Sequence, residues 1–216
     1  MDACGCDRAF EIFDEKMAAD DLDRYRGRGP DRTTRILIDM IRSVGLRNAT
    51  LLDIGGGIGV IDHELIGDDV ADQAVLVDAS RPALEAARSE ASRRGHLDRL
   101  QFIDGDFVKQ ASSIDGAQIV TLDRVVCCYG DVLGLVRLSA SRARSLYGLV
   151  LPRDRWVFRL LARVENVWYR LRGLAYRAYV HPNRLVDSLV ADAGLRPRSE
   201  GGTFAWRVVL YDRPGA

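Results

Sequence analysis

The sequence predicts an α/β fold in which short buried strands alternate with helices around a mostly parallel sheet. Its clearest unit is LLDIGGGIGV at residues 51–60, where an apolar run ends in an acid and glycines lead into a helix. A second apolar run, AVLVDA at residues 74–79, also ends in an acid before a helix. With 216 residues, 47% of them hydrophobic, the chain suits one well-cored domain over residues 1–216.

The glycine-rich turn indicates a place where a small polar ligand lies against the backbone. Glycine adopts positive φ and allows close approach, and the helix that follows offers free N–H groups at its N-terminus. A tight turn without a ligand is the alternative reading. The dinucleotide fingerprint would need its third glycine at Val60. The residues that define the motif are Asp53, Gly55, Gly56, Gly57 and Gly59.

This Asp-x-Gly-x-Gly-x-Gly spacing resembles the first motif of the class I methyltransferases that use S-adenosylmethionine (SAM). The resemblance implies a Rossmann-like fold with a seven-stranded, mostly parallel sheet, an antiparallel C-terminal strand and helices on both faces. It also implies that SAM is the cofactor and that the acid and the glycines of the motif contact it.

Two helices are predicted before the first strand, within an N-terminal helical cap over residues 1–47. Residues 10–23 have a helical pattern, residues 25–29 break it, and residues 31–42 form the second helix. The resemblance implies that such a cap folds over the cofactor, where an arginine among Arg24, Arg26 and Arg28 would pair with the methionine carboxylate, with Arg28 as the chosen candidate. A solvated helix face explains the same arginine as well.

The strand at residues 74–79 ends in Asp78, 19 residues after Gly59. An acid near this separation accepts hydrogen bonds from ribose hydroxyls in nucleotide-binding folds, so Asp78 and the adjoining Ala79 are predicted to bind the cofactor. A helix cap is the alternative role for such an acid, but Ser80 can fill it. The next helix runs from Pro82 to residue 94.

The third and fourth strands carry the remaining cofactor candidates. They are predicted at residues 100–107 and 118–126. The resemblance implies that Asp106 and Phe107 bind the adenine, although Asp104 could replace Asp106. It also places Asp123 where the methionine end of the cofactor meets the substrate.

The segment after the fourth strand resembles a more specific group within these methyltransferases. LDRVVCCYGD, at residues 122–131, resembles the LDRVVCCYPD signature of a group of bacterial methyltransferases, with Gly130 in place of proline. The turn is also distantly similar to that of the magnesium-protoporphyrin methyltransferases, but the histidine that they place before it is absent. The extra freedom of glycine is expected to loosen this loop.

The C-terminal part of the chain contains a helical insertion, residues 154–193, before the last two strands. A helix at 132–145 and a fifth strand at 146–151 precede it, and residues 196–212 form an antiparallel pair through Gly201 and Gly202. Residues 154–179 read as one amphipathic basic helix. Its apolar face either packs on the sheet, covers a flat apolar substrate, or contacts a membrane surface peripherally.

The predicted activity is methyl transfer from SAM to a small acceptor of apolar or aromatic character. His181 is the first candidate for a general base and Tyr129 the second, where the acceptor needs one. A SAM-binding protein without catalysis and, less favoured, a nicotinamide-dependent oxidoreductase are the alternatives. The balance of 31 basic and 31 acidic residues gives no field that favours nucleic acid.

Composition favours a cytoplasmic protein that needs no metal. The four cysteines are expected to be thiols, and their C-x-C and C-C spacing is not that of a zinc site. A lower-ranked hypothesis brings Cys4 and Cys6 to Cys127 and Cys128 as a site for a soft metal or metalloid. The oligomeric state stays open.

Overall fold

The computed structural model describes residues 13–215. Seven strands form one sheet in the order β3-β2-β1-β4-β5-β7-β6. Strands β1 to β5 are parallel, and β7 runs antiparallel to both of its neighbours, β5 and β6. This topology confirms the predicted fold class. The strands are β1 Ala49–Ile54, β2 Ala71–Asp78, β3 Leu100–Asp104, β4 Ala117–Asp123, β5 Ala143–Pro152, β6 Arg196–Gly202 and β7 Trp206–Asp212.

Helices cover both faces of the sheet. Within residues 13–215 they are α1 Glu15–Arg28, α2 Arg32–Ser43, α3 Val60–Gly67, α4 Arg81–Arg94, α5 Phe107–Gln110, α6 Val132–Arg142, α7 Trp156–Leu171 and α8 Asn183–Asp192. Apolar residues of α2, α3 and α4 pack on one face of the sheet, and those of α6 and α8 pack on the other. Because β1 and β4 are covered on both faces, they contain almost only apolar residues before their terminal acids.

The first helix differs from the prediction, because α1 continues through residues 25–28 instead of breaking there. The Asp14 side chain accepts a hydrogen bond from the Met17 N–H and caps its start, and Gly29, at φ +72°, ends it. Tyr25 continues the buried face and donates a hydrogen bond to Glu64. Residues 10–12 lie outside the described part of the chain.

The predicted basic helix is shorter than expected. Helix α7 ends at Leu171, and Gly173, at φ +71°, turns the chain into an extended segment over residues 174–182. No residue of α7 is buried. Packing of its apolar face on the sheet, one of the predicted alternatives, is therefore wrong.

Smaller differences concern the ends of strands and turns. Strand β4 ends at Asp123, because Arg124 has φ +63° and a short 3-10 turn follows at Val126–Cys128. Helix α6 ends at Arg142, where β5 begins three residues earlier than predicted. The turn between β6 and β7 lies at residues 203–205, after the two glycines.

Candidate active site at the carboxyl ends of the strands

A cavity of about 440 Å³ lies where β1, β2 and β4 end, partly covered by α1. This is the edge of an open α/β sheet at which ligands bind. The cavity brings together most of the residues predicted from sequence. Those that line it are Asp53, Gly55, Gly56, Gly57, Asp78, Ala79, Asp106, Phe107, Asp123 and Tyr129.

The glycine turn has one position that opens onto the cavity. Gly57 has φ +58°, and a Cβ atom placed there would have no atom within 4 Å. At Gly55, by contrast, a Cβ would lie 2.5 Å from a methyl carbon of Val125. Gly59 does not line the cavity and instead packs near Leu76 and His63. Close approach of a ligand is therefore served by Gly57, whereas Gly55 and Gly59 serve packing.

Asp78 is fixed at the floor of the cavity by two backbone donors. Its carboxylate accepts a hydrogen bond from the Gly57 N–H at 2.8 Å and another from the Ser80 N–H at 2.7 Å. Burial raises the pKa of Asp78. Ser80 caps α4 through its own hydroxyl, which accepts from the Ala83 N–H. Ser80 is therefore the N-cap of α4, and Asp78 is hydrogen-bonded to the glycine turn instead.

Asp106 is the acid that faces the cavity at the end of β3. It caps α5 by accepting from the Val108 N–H at 2.9 Å, and the Tyr129 hydroxyl donates to its carboxylate at 2.9 Å. Asp104 does not line the cavity and pairs instead with Arg81 at 2.9 Å on the surface. Between the two acids considered from sequence, the structure favours Asp106.

Asp123 connects the end of β4 to the start of α2. The Thr34 hydroxyl donates to one of its oxygens at 2.5 Å, and the Arg124 guanidinium donates to the other at 3.1 Å. Arg124 also pairs with Asp31 at 3.0 Å. All four side chains belong to residues that line the cavity. Sequence reasoning had found only Asp123, because Asp31 and Thr34 lie at the start of α2, far from Asp123 in the sequence.

The predicted arginine lies outside the cavity, which corrects that assignment. Arg28 is exposed and does not line the cavity, whereas Arg24, one helical turn earlier, does. Arg24 forms an exposed ion pair with Asp21 at 2.9 Å. Gly29, Pro30 and Asp31, which follow Arg28, line the cavity, so Arg28 lies close to the rim with its side chain exposed.

The two predicted general bases, His181 and Tyr129, make hydrogen bonds within the protein beside the cavity. His181 does not line the cavity, and its Nε2 lies 2.9 Å from the Tyr129 carbonyl oxygen. Burial lowers the pKa of His181. Tyr129 lines the cavity, but its hydroxyl is directed at Asp106. The structure thus connects both residues to Asp106, His181 through the backbone of Tyr129 and Tyr129 through its hydroxyl.

Thiols and aromatic rings also line the cavity. The sulfur atoms of Cys127 and Cys128 are 3.7 Å apart, and the Cys128 sulfur is 3.1 Å from the Tyr176 hydroxyl. The hydrogen bond between the thiols lowers the pKa of Cys128. Phe13 meets Tyr176 edge to face, with ring centroids 5.8 Å apart. Cys4 and Cys6 lie outside the described residues.

A buried pair of acids behind the glycine turn was not foreseen from the sequence. Asp53 accepts a hydrogen bond from the Thr121 hydroxyl at 2.6 Å. Asp62, on α3, is fully buried, and within residues 13–215 its carboxylate oxygens have no donor. Burial raises the pKa of Asp62 to about 7. Burial, followed by the charge of Asp62, also raises the pKa of Asp53, whose side chain lies beside Asp62. Two buried carboxylates that interact in this way share a proton more readily than they carry two charges.

In residues 13–215, no three His, Cys, Asp or Glu side chains are grouped so that they could hold a metal ion. In the same residues, no helix combines the length and the apolar character that crossing a membrane requires.

Comparison with known proteins gives the following. A family model described as "Methyltransferase small domain" matches residues 24–121. A ribosomal protein L11 methyltransferase of Escherichia coli (strain SMS-3-5 / SECEC) is 27% identical over 130 residues, which cover 56% of this chain and 44% of that protein. The chain therefore matches less than half the length of these curated relatives.

Solved structures resemble the chain over most of its length. The magnesium protoporphyrin IX methyltransferase of Synechocystis PCC 6803, crystallised with bound S-adenosylhomocysteine, superimposes with a TM-score of 0.72 at 17% identity, over 96% of this chain and 99% of that one. An O-methyltransferase family protein from Burkholderia thailandensis gives a TM-score of 0.70 at 16% identity, over 94% and 61% of the two chains.

The sheet order, the glycine turn and the acids at the strand ends define the class I methyltransferase fold. The family model over residues 24–121 and the solved structures of this fold make the chain similar to the SAM-dependent methyltransferases that its glycine motif resembles. The family model ends at residue 121, within β4. It therefore covers the first four strands, but not the thiols and aromatic rings that also line the cavity.

Proposed function

We propose that this protein transfers the methyl group of SAM to a small acceptor of apolar or aromatic character. One observation carries the proposal: a single cavity is lined both by the glycine turn with its acids and by Cys128, Tyr176 and Phe13. The first group of residues, which we call the cofactor end, suits an adenosyl group that carries a sulfonium. The second group, which we call the acceptor end, suits a flat apolar molecule.

The residues present fit the cofactor. The open position at Gly57 leaves room for a ligand against the backbone, and the acids around the cavity favour a cation. Asp78 would hold the ribose, and Asp106 with the backbone at Phe107 would hold the adenine. Asp53 and the glycine turn would surround the amino-acid end. When bound, SAM supplies a methyl group on a positively charged sulfur, which is already activated for transfer.

The chain's own task is then to align the acceptor and exclude water. Alignment of two reactants is worth roughly 7 to 11 kcal/mol in favourable cases. Phe13 lies two residues before α1, and its ring contacts that of Tyr176 at the acceptor end. His181 contacts the Tyr129 carbonyl, and Tyr129 in turn contacts Asp106. We assign His181 and Tyr129 to positioning the cofactor end.

The acceptor and the location are inferred from the cavity and the thiols. The Escherichia coli relatives are named for a ribosomal protein, but they match over only 56% of this chain. A cavity of about 440 Å³ whose acceptor end is lined by aromatic rings favours a small molecule instead. Cys127 and Cys128 are free thiols, which supports a reaction in the reducing cytoplasm.

Calorimetric titration with SAM, S-adenosylhomocysteine and NADH, side by side, tests the cofactor. We expect both sulfur nucleotides to bind and NADH not to bind. Binding of NADH alone would overturn the proposal in favour of an oxidoreductase. Binding of none of the three would leave the glycine turn as a structural feature and would also contradict it.

Transfer of a labelled methyl group tests the acceptor class. The purified protein is incubated with labelled SAM and either a panel of aromatic acids, phenols and quinols or a ribosomal protein extract. We expect label in the apolar aromatic fraction. Label confined to the protein fraction would overturn the small-molecule proposal while leaving methyl transfer in place.

A further inference from the structure

Helix α7 exposes an apolar stripe along its whole length. At about 100° per residue, the stripe spans roughly 140° of the helix circumference. Trp156 is 76% exposed and Leu171 is 82% exposed, at the two ends of the stripe. The exposed apolar residues are Trp156, Leu160, Leu161, Val164, Val167, Trp168 and Leu171. A stripe of this size on a protein surface indicates an interaction site.

The opposite side of α7 holds it on the protein. Asn166 exchanges two hydrogen bonds with the backbone of Ala178, at 2.7 and 2.8 Å. Tyr169 packs edge-on against Tyr176, with ring centroids 5.1 Å apart. These contacts lie on the face that points away from the stripe, so docking of the helix leaves the apolar residues outside.

Arginines border the stripe. Residues 155–172 contain five arginines and one acid, Glu165. Within residues 13–215, Arg163 and Arg170 form no ion pair, and they fall on the same border of the stripe. Arg172 lies on the other border, with its guanidinium over the Trp168 ring at 4.8 Å. An apolar face with aromatic residues and arginine borders suits a lipid interface that carries negative charge.

The helix stands directly beside the acceptor end of the cavity. Tyr176, which α7 contacts through Tyr169, lines the cavity and approaches the Cys128 sulfur to 3.1 Å. A surface bound by the stripe would therefore lie close to the acceptor end.

We propose that α7 binds the surface of an anionic membrane, with the apolar stripe in the interface and Arg163 and Arg170 at the lipid phosphates. The positive charge of α7 favours an anionic membrane over a second copy of the chain as the partner of the stripe. Two copies joined through the stripe would bring arginine borders together, whereas anionic lipid neutralises them. Membrane binding places the cavity where an apolar acceptor dissolved in lipid can reach it, a consequence that rests on the proposed function.

Vesicle co-sedimentation of the full chain tests the proposal, without cofactor or acceptor. Vesicles of phosphatidylcholine alone are compared with vesicles of equal parts phosphatidylcholine and phosphatidylglycerol. We expect binding to the anionic vesicles that weakens as salt is added. Tryptophan emission should shift to shorter wavelength on binding, and the shift should be lost in the W156F/W168F double variant, which retains Trp206.

Variants separate the apolar and the charged contributions. L161E/V164E should abolish vesicle binding, and R163Q/R170Q should weaken it by roughly fivefold for each arginine removed. The matched control is L97E, which changes an exposed leucine before β3, at the other edge of the sheet. It should bind vesicles as the unmodified chain does. Thermal melts check that every variant is folded.

Three outcomes would overturn the proposal: no vesicle binding, equal binding to both vesicle types, or a dimer that L161E/V164E dissociates while vesicles are not bound. Calorimetric titration of the same variants with SAM keeps the two proposals apart. SAM binding without vesicle binding rejects only the membrane proposal. Vesicle binding without SAM binding rejects the proposed function and leaves the membrane surface in place.

Discussion

The acids at the cofactor end of the cavity and the side chains at its acceptor end are held in place by different kinds of contact. At the cofactor end, Asp78 and Asp106 are each fixed by backbone N–H groups, and each stands at or just beyond the end of a strand. At the acceptor end, Cys128 and Tyr176 are held by each other and by neighbouring rings. One end is fixed by the sheet, and the other by segments that connect its elements.

This difference follows from what each end must bind. A constant ligand is served by carboxylates whose orientation the backbone already determines, because no side-chain freedom is lost when the ligand binds. Thiols and aromatic rings offer shape and weak hydrogen bonds, which small changes in the connecting segments can alter. Substitutions should therefore change cofactor affinity sharply at the first end.

The largest effect on SAM binding is expected for D78A. Loss of hydrogen bonds to the ribose should weaken SAM binding by up to about 3 kcal/mol, roughly 100-fold in Kd. Titration calorimetry measures it. D72A is the matched control, because Asp72 lies on the same strand with an exposed side chain and does not line the cavity. Unchanged affinity in D78A would show that the ribose lies elsewhere.

Y129F tests whether Tyr129 positions Asp106 or acts on the acceptor. Its hydroxyl donates to both oxygens of Asp106, at 2.9 and 3.0 Å, so its loss should weaken SAM binding by about 2 kcal/mol. Calorimetry and initial rates are measured together. A lower kcat with unchanged SAM affinity would restore Tyr129 as a general base. Y169F, which removes a surface hydroxyl 3.3 Å from Glu165, should change neither quantity.

G57A separates backbone strain from ligand contact. Gly57 and Gly45 both have positive φ, and a Cβ at either would meet no atom within 4 Å. Alanine should therefore destabilise both variants alike, by about 1 to 2 kcal/mol in urea unfolding. Only G57A should also lose SAM affinity, because only Gly57 lines the cavity. Equal SAM affinity in the two variants would mean that no ligand approaches Gly57.

The cofactor end could be predicted from sequence because its signals are local. The glycines next to a strand and the acid at the end of the next strand identify Gly57 and Asp78 from the local pattern, whereas Asp106 followed from the resemblance, with Asp104 left open. Of the arginines named from the sequence, Arg24 lines the cavity and Arg28 does not, because the pattern of a helix does not show which of its positions faces a cavity.

The acceptor end could be predicted less completely than the cofactor end. The apolar pattern of residues 154–179 predicts one helix that includes Tyr176. In the structure the helix ends at Leu171, and Gly173, at positive φ, turns the chain before Tyr176. Likewise, Thr34 meets Asp123 only because α2 packs over the end of β4. Contacts between elements of this kind carry no signal in the local pattern of residues.

The last prediction concerns the buried acid behind the glycine turn. Burial raises the pKa of Asp62 from 3.8 in a model compound to about 7 in the folded protein. The folded chain therefore binds a proton more tightly than the unfolded chain does. Between these two pKa values the folded state holds more protons, so Asp62 lowers the free energy of unfolding as pH rises through that window.

D62N removes this titration and keeps the shape of the side chain. Its amide can donate to Asp53, so the variant should be nearly as stable as the unmodified chain at about pH 4 and more stable at about pH 8, by up to about 4 kcal/mol, because each unit of pKa shift is worth about 1.4 kcal/mol. Urea unfolding across this range measures both curves. D20N, on the exposed side of α1, is the control and should leave the pH dependence unchanged. If D62N were destabilised equally at all pH values, the two carboxylates would not share a proton, and the cofactor end would carry one more full negative charge beside the glycine turn.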